Sequence, residues 1–129
     1  MKLIVIRNNL KDGLAAVERA SGENLNLPIL KNVLIESQDN NIKLTTTNLE
    51  IAVNYSVPGK VVESGKVTVP TSIFLNIINN LQTERLNLEK KNQNLEIKTD
   101  NYEAVIQGLP PEEFPIVPKI KNNKEFLEI

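Results

Sequence analysis

Cysteine and histidine are both missing from the 129 residues. That excludes Cys nucleophiles, His general bases, disulfides, and metal sites built on thiolate or imidazole. The groups left for chemistry are carboxylates, amines, hydroxyls and amides. The most visible acid pairs are Glu112-Glu113 and Asp100 with Glu103. Acid–base catalysis needs two groups converging on one bond, and adjacent side chains on an extended, proline-rich segment point apart. The sequence has no glycine-rich phosphate loop and no cluster of acids at metal-ligand spacing. An enzyme is not expected, nor any cofactor.

Charge narrows the remaining classes. Lys and Arg number 15 and Asp and Glu 16, a net charge of -1. A domain that grips DNA by neutralising phosphates usually carries a basic excess, so any nucleic-acid role here must use local charge or a different principle. The opening run, Met1-Lys2-Leu3-Ile4-Val5-Ile6-Arg7, is too short for a signal peptide or a membrane span. No membrane partner is expected, and the lack of cysteine suits a reducing cytoplasm.

These side chains need a scaffold, and the apolar pattern outlines one. The length fits one ordinary domain. Aromatic residues make up only 4%, so the core must rest on Leu, Ile and Val, which favour strands where they are β-branched. Residues 3–7 read as a buried strand. Asn8 or Asn9 could cap a helix over residues 9–20, with Leu10, Leu14 and Val17 at helical spacing and Gly13 as a weak point. Strands follow over 32–37, 42–46 and 49–57, separated by Asp39-Asn40-Asn41 and by a turn at Asn48. Pro58-Gly59 ends that run. Further strand signals lie at Val61-Val62 and 66–69, with Ser64-Gly65 between them. Pro70-Thr71-Ser72 opens a second helix, with Ile73, Phe74, Ile77, Ile78 and Leu81 on one face and Asn76, Asn79 and Asn80 on the other. Strands over 85–89, 95–99 and 102–107 complete the pattern, and residues 109–118, with four prolines, read as a linker.

The order strand, helix, three strands thus occurs twice. A shift of 53 lays Val33, Ile35, Ile42, Leu44, Thr46, Asn48 and Leu49 on Leu86, Leu88, Leu95, Ile97, Thr99, Asn101 and Tyr102. Apolar meets apolar and turn meets turn. The fold expected is α+β: a duplicated strand-helix-three-strand unit with both helices on one side of antiparallel sheets.

Five separated blocks carry a resemblance across essentially the whole chain. They are the start Met1-Lys2-Leu3 with its following helix; Asn26-Leu27-Pro28-Ile29-Leu30-Lys31-Asn32-Val33-Leu34-Ile35-Glu36; Thr45-Thr46-Thr47-Asn48-Leu49-Glu50; Val69-Pro70 before the second helix; and Gly108-Leu109-Pro110-Pro111-Glu112-Glu113-Phe114-Pro115. In this order and spacing the chain resembles the bacterial DNA sliding clamp, the β subunit of DNA polymerase III, in its N-terminal domain. The resemblance implies the DNA clamp fold and a processivity segment of a replicative polymerase. In that family a protomer has three such domains, and two protomers close head to tail into a ring around duplex DNA, with helices lining the hole. Residues 1–118 then form the first clamp domain. Residues 119–129 form a linker and the start of a second, truncated domain, since Glu125-Phe126-Leu127-Glu128-Ile129 resembles its first strand. The alternative is a truncated clamp-like interaction module that caps or regulates a full-length clamp.

A domain of this size has a radius of gyration of roughly 14 Å and cannot surround a duplex alone, so other clamp domains or protomers are implied partners. Enclosure holds DNA by topology, which frees the wall from tight phosphate contact. By this resemblance the DNA-facing residues are Arg7, Lys11 and Arg19 on or before the first helix, with Asn24, Ser72 and Asn79. At the last three positions clamps often carry basic residues, and this sequence has neutral ones. The ring interface maps to Ile73 and to the last strand, through Tyr102, Ala104 and Ile106. The family's peptide pocket for clamp loader and polymerase lies between its second and third domains, outside this chain, so those partners are expected only through other domains.

Overall fold

The computed structural model describes residues 1–21 and 27–115. Asn24 and residues 119–129, on which expectations above rest, lie outside them. Along the chain come β1 (Lys2–Ile6), α1 (Arg7–Glu18), β2 (Asn32–Gln38), β3 (Asn41–Thr47), β4 (Ala52–Val57), β5 (Gly59–Glu63), β6 (Gly65–Pro70), α2 (Thr71–Asn80), β7 (Arg85–Lys91), β8 (Asn94–Lys98) and β9 (Glu103–Ile106). Short 3-10 turns span Pro28–Lys31 and Pro111–Glu113.

The strands form two antiparallel sheets. One runs β5-β1-β7-β8-β9 and the other β4-β3-β2-β6. Each repeat therefore lends its first strand to the other repeat's sheet: β1 pairs with β7, and β6 with β2. The pairing is symmetric to the residue. Leu3 faces Leu88 as Val67 faces Ile35, and Ile35 faces Leu44 as Leu88 faces Ile97. The helices contact one another, and one continuous core joins both helices to both sheets through Leu3, Leu10, Leu14, Ile35, Leu44, Phe74, Ile78, Leu88 and Ile97. The expected α+β duplication, with its helices on one side, is the observed fold.

Several boundaries differ from expectation for identifiable reasons. The first helix starts at Arg7, earlier than an Asn8 or Asn9 cap would allow. It has no side-chain cap; the Arg7 N–H donates instead to the Glu84 carbonyl at 2.7 Å, so a neighbouring segment satisfies an end that a cap would otherwise serve. β4 starts at Ala52, not residue 49. The Asn48 Oδ1 accepts from the Glu50 and Ile51 amides, and Leu49 has φ 80, a left-handed conformation that ends strand geometry. Consequently the shift of 53 holds for β2–β3 against β7–β8 but not for the last strands. Ile42 faces Val57 where Leu95 faces Ile106, so β4 maps on β9 with a shift of 49, and Leu49 does not match Tyr102. β5 is an addition to the repeat: Pro58 carries the chain from one sheet to the other, and Ser64 carries it back.

The segment after β9 is more than a linker. Leu109 bridges to Thr68 of β6, the Pro111–Glu113 turn lies against β6, and Phe114 is buried. Phe114, Ile29 and Leu30 are buried but lie outside the main core. They belong to coverings of the four-stranded sheet's outer side, where Asn32, Thr45, Thr47 and Thr68 are buried as well.

Candidate nucleic-acid interface

The outward side of the helix pair is built by what the helices bury. On α1, Leu10, Gly13, Leu14 and Val17 turn inward, which leaves Asn8, Lys11, Asp12, Ala15, Ala16 and Arg19 exposed. Arg7 is half-buried at the first helical position. On α2, Thr71, Phe74 and Ile78 turn inward, which leaves Ser72, Ile73, Asn76, Asn79 and Asn80 exposed. Lys11 and Arg19 fall on one stripe of α1 with Ala15 between them, roughly 12 Å apart along the axis. Ser72 and Asn79, two turns apart, share a stripe of α2.

Charge on this surface is sparse but unspent. Among the described residues every ion pair joins residues of the strands, across neighbours or, for Lys98 with Glu96, within β8. Lys2 meets Glu89, Glu36 sits between Lys43 and Lys66, and a chain runs from Lys91 through Glu96 and Lys98 to Glu103. None involves Arg7, Lys11 or Arg19. With Asp12 and Glu18 counted, α1 and its C-cap leave a single positive charge in excess, and α2 is uncharged. Arg7 also stands at the positive end of the α1 dipole, where a cation gains nothing from the helix. The rest of the surface is neutral: Ala15, Ala16, Ser72, Asn76 and Asn79, with the larger Ile73 among them. Such a wall can touch phosphates weakly and without regard to base sequence.

The expected joint residues distribute differently. Among the described residues β9 is an edge strand, paired only with β8. Alternation along it turns Ala104 and Ile106 inward. Ile106 is 4% exposed and packs in the core, because it faces Leu95 across the ladder. What β9 offers outward is its unpaired backbone edge and Val105, 55% exposed, which was not among the expected joint residues; Ala104 is half-buried on the inward side. Tyr102 and Ile73 are exposed as well. α2 makes no extensive backbone packing with β9, so the structure does not gather Ile73 and the β9 residues into one packed cluster.

A profile described as DNA polymerase III beta subunit, N-terminal domain, matches residues 1–118. The chain belongs to that family. The beta sliding clamp of Chlamydia muridarum is 28% identical over 127 residues, which cover 98% of this chain and 35% of that protein. Among solved structures, the DNA polymerase III subunit beta of Pseudomonas aeruginosa superposes with a TM-score of 0.86 at 27% identity, covering 92% of this chain and 33% of that one. The beta subunit from Thermotoga maritima gives a TM-score of 0.84 at 26% identity, over 90% of this chain and 32% of that one. The chain thus shares the clamp fold and spans about a third of the length of the clamps it matches. No helix among the described residues is long and apolar enough to cross a membrane.

Proposed function

We propose that this clamp-family domain forms one arc of a ring that encircles duplex DNA, slides along it, and holds a replicative polymerase to its template without chemistry of its own. The observation that carries the reading is the helix pair: two adjacent, pseudo-symmetric helices on one side of the sheets, with their cations outside every described ion pair. Arg7, Lys11 and Arg19, with Ser72 and Asn79 beside them and Asn24 by family position, form the DNA-facing set. The β9 edge, with Tyr102, Ala104 and Ile73, forms the joint to another clamp domain. Ile106 serves that joint by anchoring the strand from within. Clamp loader and polymerase engage other domains of the ring, and the setting is the cytoplasm.

Enclosure makes a definite demand on affinity. Sliding needs weak contact, so the isolated 129-residue chain should bind a labelled duplex with a Kd no tighter than about 10 µM at physiological salt. Fluorescence anisotropy across a salt titration measures this, and submicromolar binding would overturn the passive-wall reading. Placed within a complete clamp ring, the domain should be retained on closed circular DNA and lost when the circle is cut. Equal retention on linear DNA would speak against encirclement.

A further inference from the structure

The polar contacts of the segment following β9 converge on one buried side chain. Thr68 on β6 is 0% exposed. Its carbonyl accepts from the Leu109 N–H at 3.2 Å, and its hydroxyl donates to the Leu109 carbonyl at 2.7 Å. The Asn32 side-chain amide donates to the same hydroxyl at 3.3 Å. One residue earlier, Gly108 passes between two carbonyls: a Cβ there would stand 2.2 Å from the Thr68 oxygen and 2.3 Å from the Gln93 oxygen. Thr68 belongs to the four-stranded sheet, and Gln93 to the β7–β8 turn of the five-stranded sheet. Beyond Leu109, the Glu113 and Phe114 amides close a turn on the Pro110 and Pro111 carbonyls, and Phe114 is buried.

β9 itself is short, and Ile106 is its one core side chain. It has four residues and one paired edge, and on its outer face one ion pair, Lys98 with Glu103, reaches it. Exposed pairs of this kind contribute little. Beside the Ile106 anchor in the core, what fixes β9 is therefore its C-terminal continuation. We propose that residues 108–114 are a strap, latched at Thr68, that fixes the position and order of the β9 edge. Thr68 is then a positioning residue: it touches no partner, yet it sets whether the unpaired edge stands in register for one. The consequence for ring closure rests on β9 being a joint; the strap itself does not.

The test is residue-resolved hydrogen exchange on the full 129-residue chain. Thr68→Val removes the hydroxyl and keeps the branched shape. Protection of the Leu109 amide and of the β9 amides should fall by about tenfold, as expected for loss of a buried hydrogen bond that locks a local unit. The β2–β3 ladder should be unchanged, and Thr68→Ser should retain most of the protection. Unchanged exchange at Leu109 and β9 would overturn the proposal, and so would a uniform loss across both sheets, which would mark Thr68 as an ordinary core residue. Gly108→Ala, which forces a Cβ between the two carbonyls, should give the same local pattern; Thr68→Val decides the matter if that variant does not fold. Normal strap behaviour in a chain that fails to join a complete clamp would count against the joint, not against the strap.

Discussion

The two repeats share a ladder register but not a helix seat. α1 lies close on β3 and β4, whereas α2 approaches β6 and α1 and has no comparable seat on β8 and β9. Aligning β1 with β6 matches Leu10, Leu14 and Val17 to Phe74, Ile78 and Leu81, all buried. It also matches Gly13 to Ile77. A Cβ at Gly13 would lie 2.9 Å from Tyr55 and 3.0 Å from Leu44 and Val57, so the missing side chain lets α1 settle onto its sheet. Ile77 and the bulk of Phe74 hold α2 away. The polar contacts agree. The buried Thr46 hydroxyl donates to the Val17 carbonyl at the end of α1. Thr99, its counterpart on β8's continuation, has a buried hydroxyl with no partner among the described residues. One unit is seated and latched; the other is propped. In a duplicated fold, then, symmetry is kept where strands pair and relaxed where a helix meets its sheet.

Placing the α2 residue into α1 should erase the difference most forcefully. Gly13→Ile is expected to destabilise the chain by about 2–3 kcal/mol through overpacking against Tyr55, Leu44 and Val57, read from the urea midpoint. A loss under about 0.5 kcal/mol would show that the close seat does not depend on glycine. The latch gives a smaller and more pointed contrast. Thr46→Val should cost about 1 kcal/mol, since it removes the buried hydroxyl's bond to the Val17 carbonyl, which keeps only the Ala20 N–H, whereas Thr99→Val should be neutral or slightly stabilising because no bond is lost. Equal effects of the two substitutions would mean that α2 is latched as α1 is. The smallest effect concerns charge. Lys11→Glu, on the charged helix, should reduce the salt dependence of weak duplex binding by about one unit of slope, whereas Asn79→Ala, on the uncharged one, should leave that slope unaltered. An unchanged slope for Lys11→Glu would remove α1 from the DNA-facing wall.

Much of this architecture was legible in the sequence because it is written in periodicity. Ile35 and Leu44 against Leu88 and Ile97 repeat at fixed spacing, and the ladders follow that spacing. Helix faces were legible for the same reason. What escaped depends on contacts between segments distant along the chain. The start of α1 is set by the Glu84 carbonyl, which no local cap signal reports. The turn at Asn48 was visible, but not that Leu49 would adopt a left-handed conformation and shorten β4. Residues 109–118 read as a linker because prolines cannot join a ladder interior, and nothing local announces that Thr68 waits for Leu109. Gly108 was the available signal, a glycine directly before Leu-Pro-Pro. At the joint, alternation alone could have turned Ile106 inward and Val105 outward, once the core face of β8 was known.

The exchange of first strands between the two sheets has a consequence for biosynthesis. Leu3 meets Val61 on one flank and Leu88 on the other, so the earliest strand emerges with both edges unsatisfied and completes its sheet only when β7 has been made. Pairing over such sequence distance is slow, and an unpaired apolar strand is prone to capture by other chains meanwhile. Neither repeat can mature alone: an isolated half would hold a three-stranded sheet and a stray strand, and could complete itself only by trading that strand with a second half.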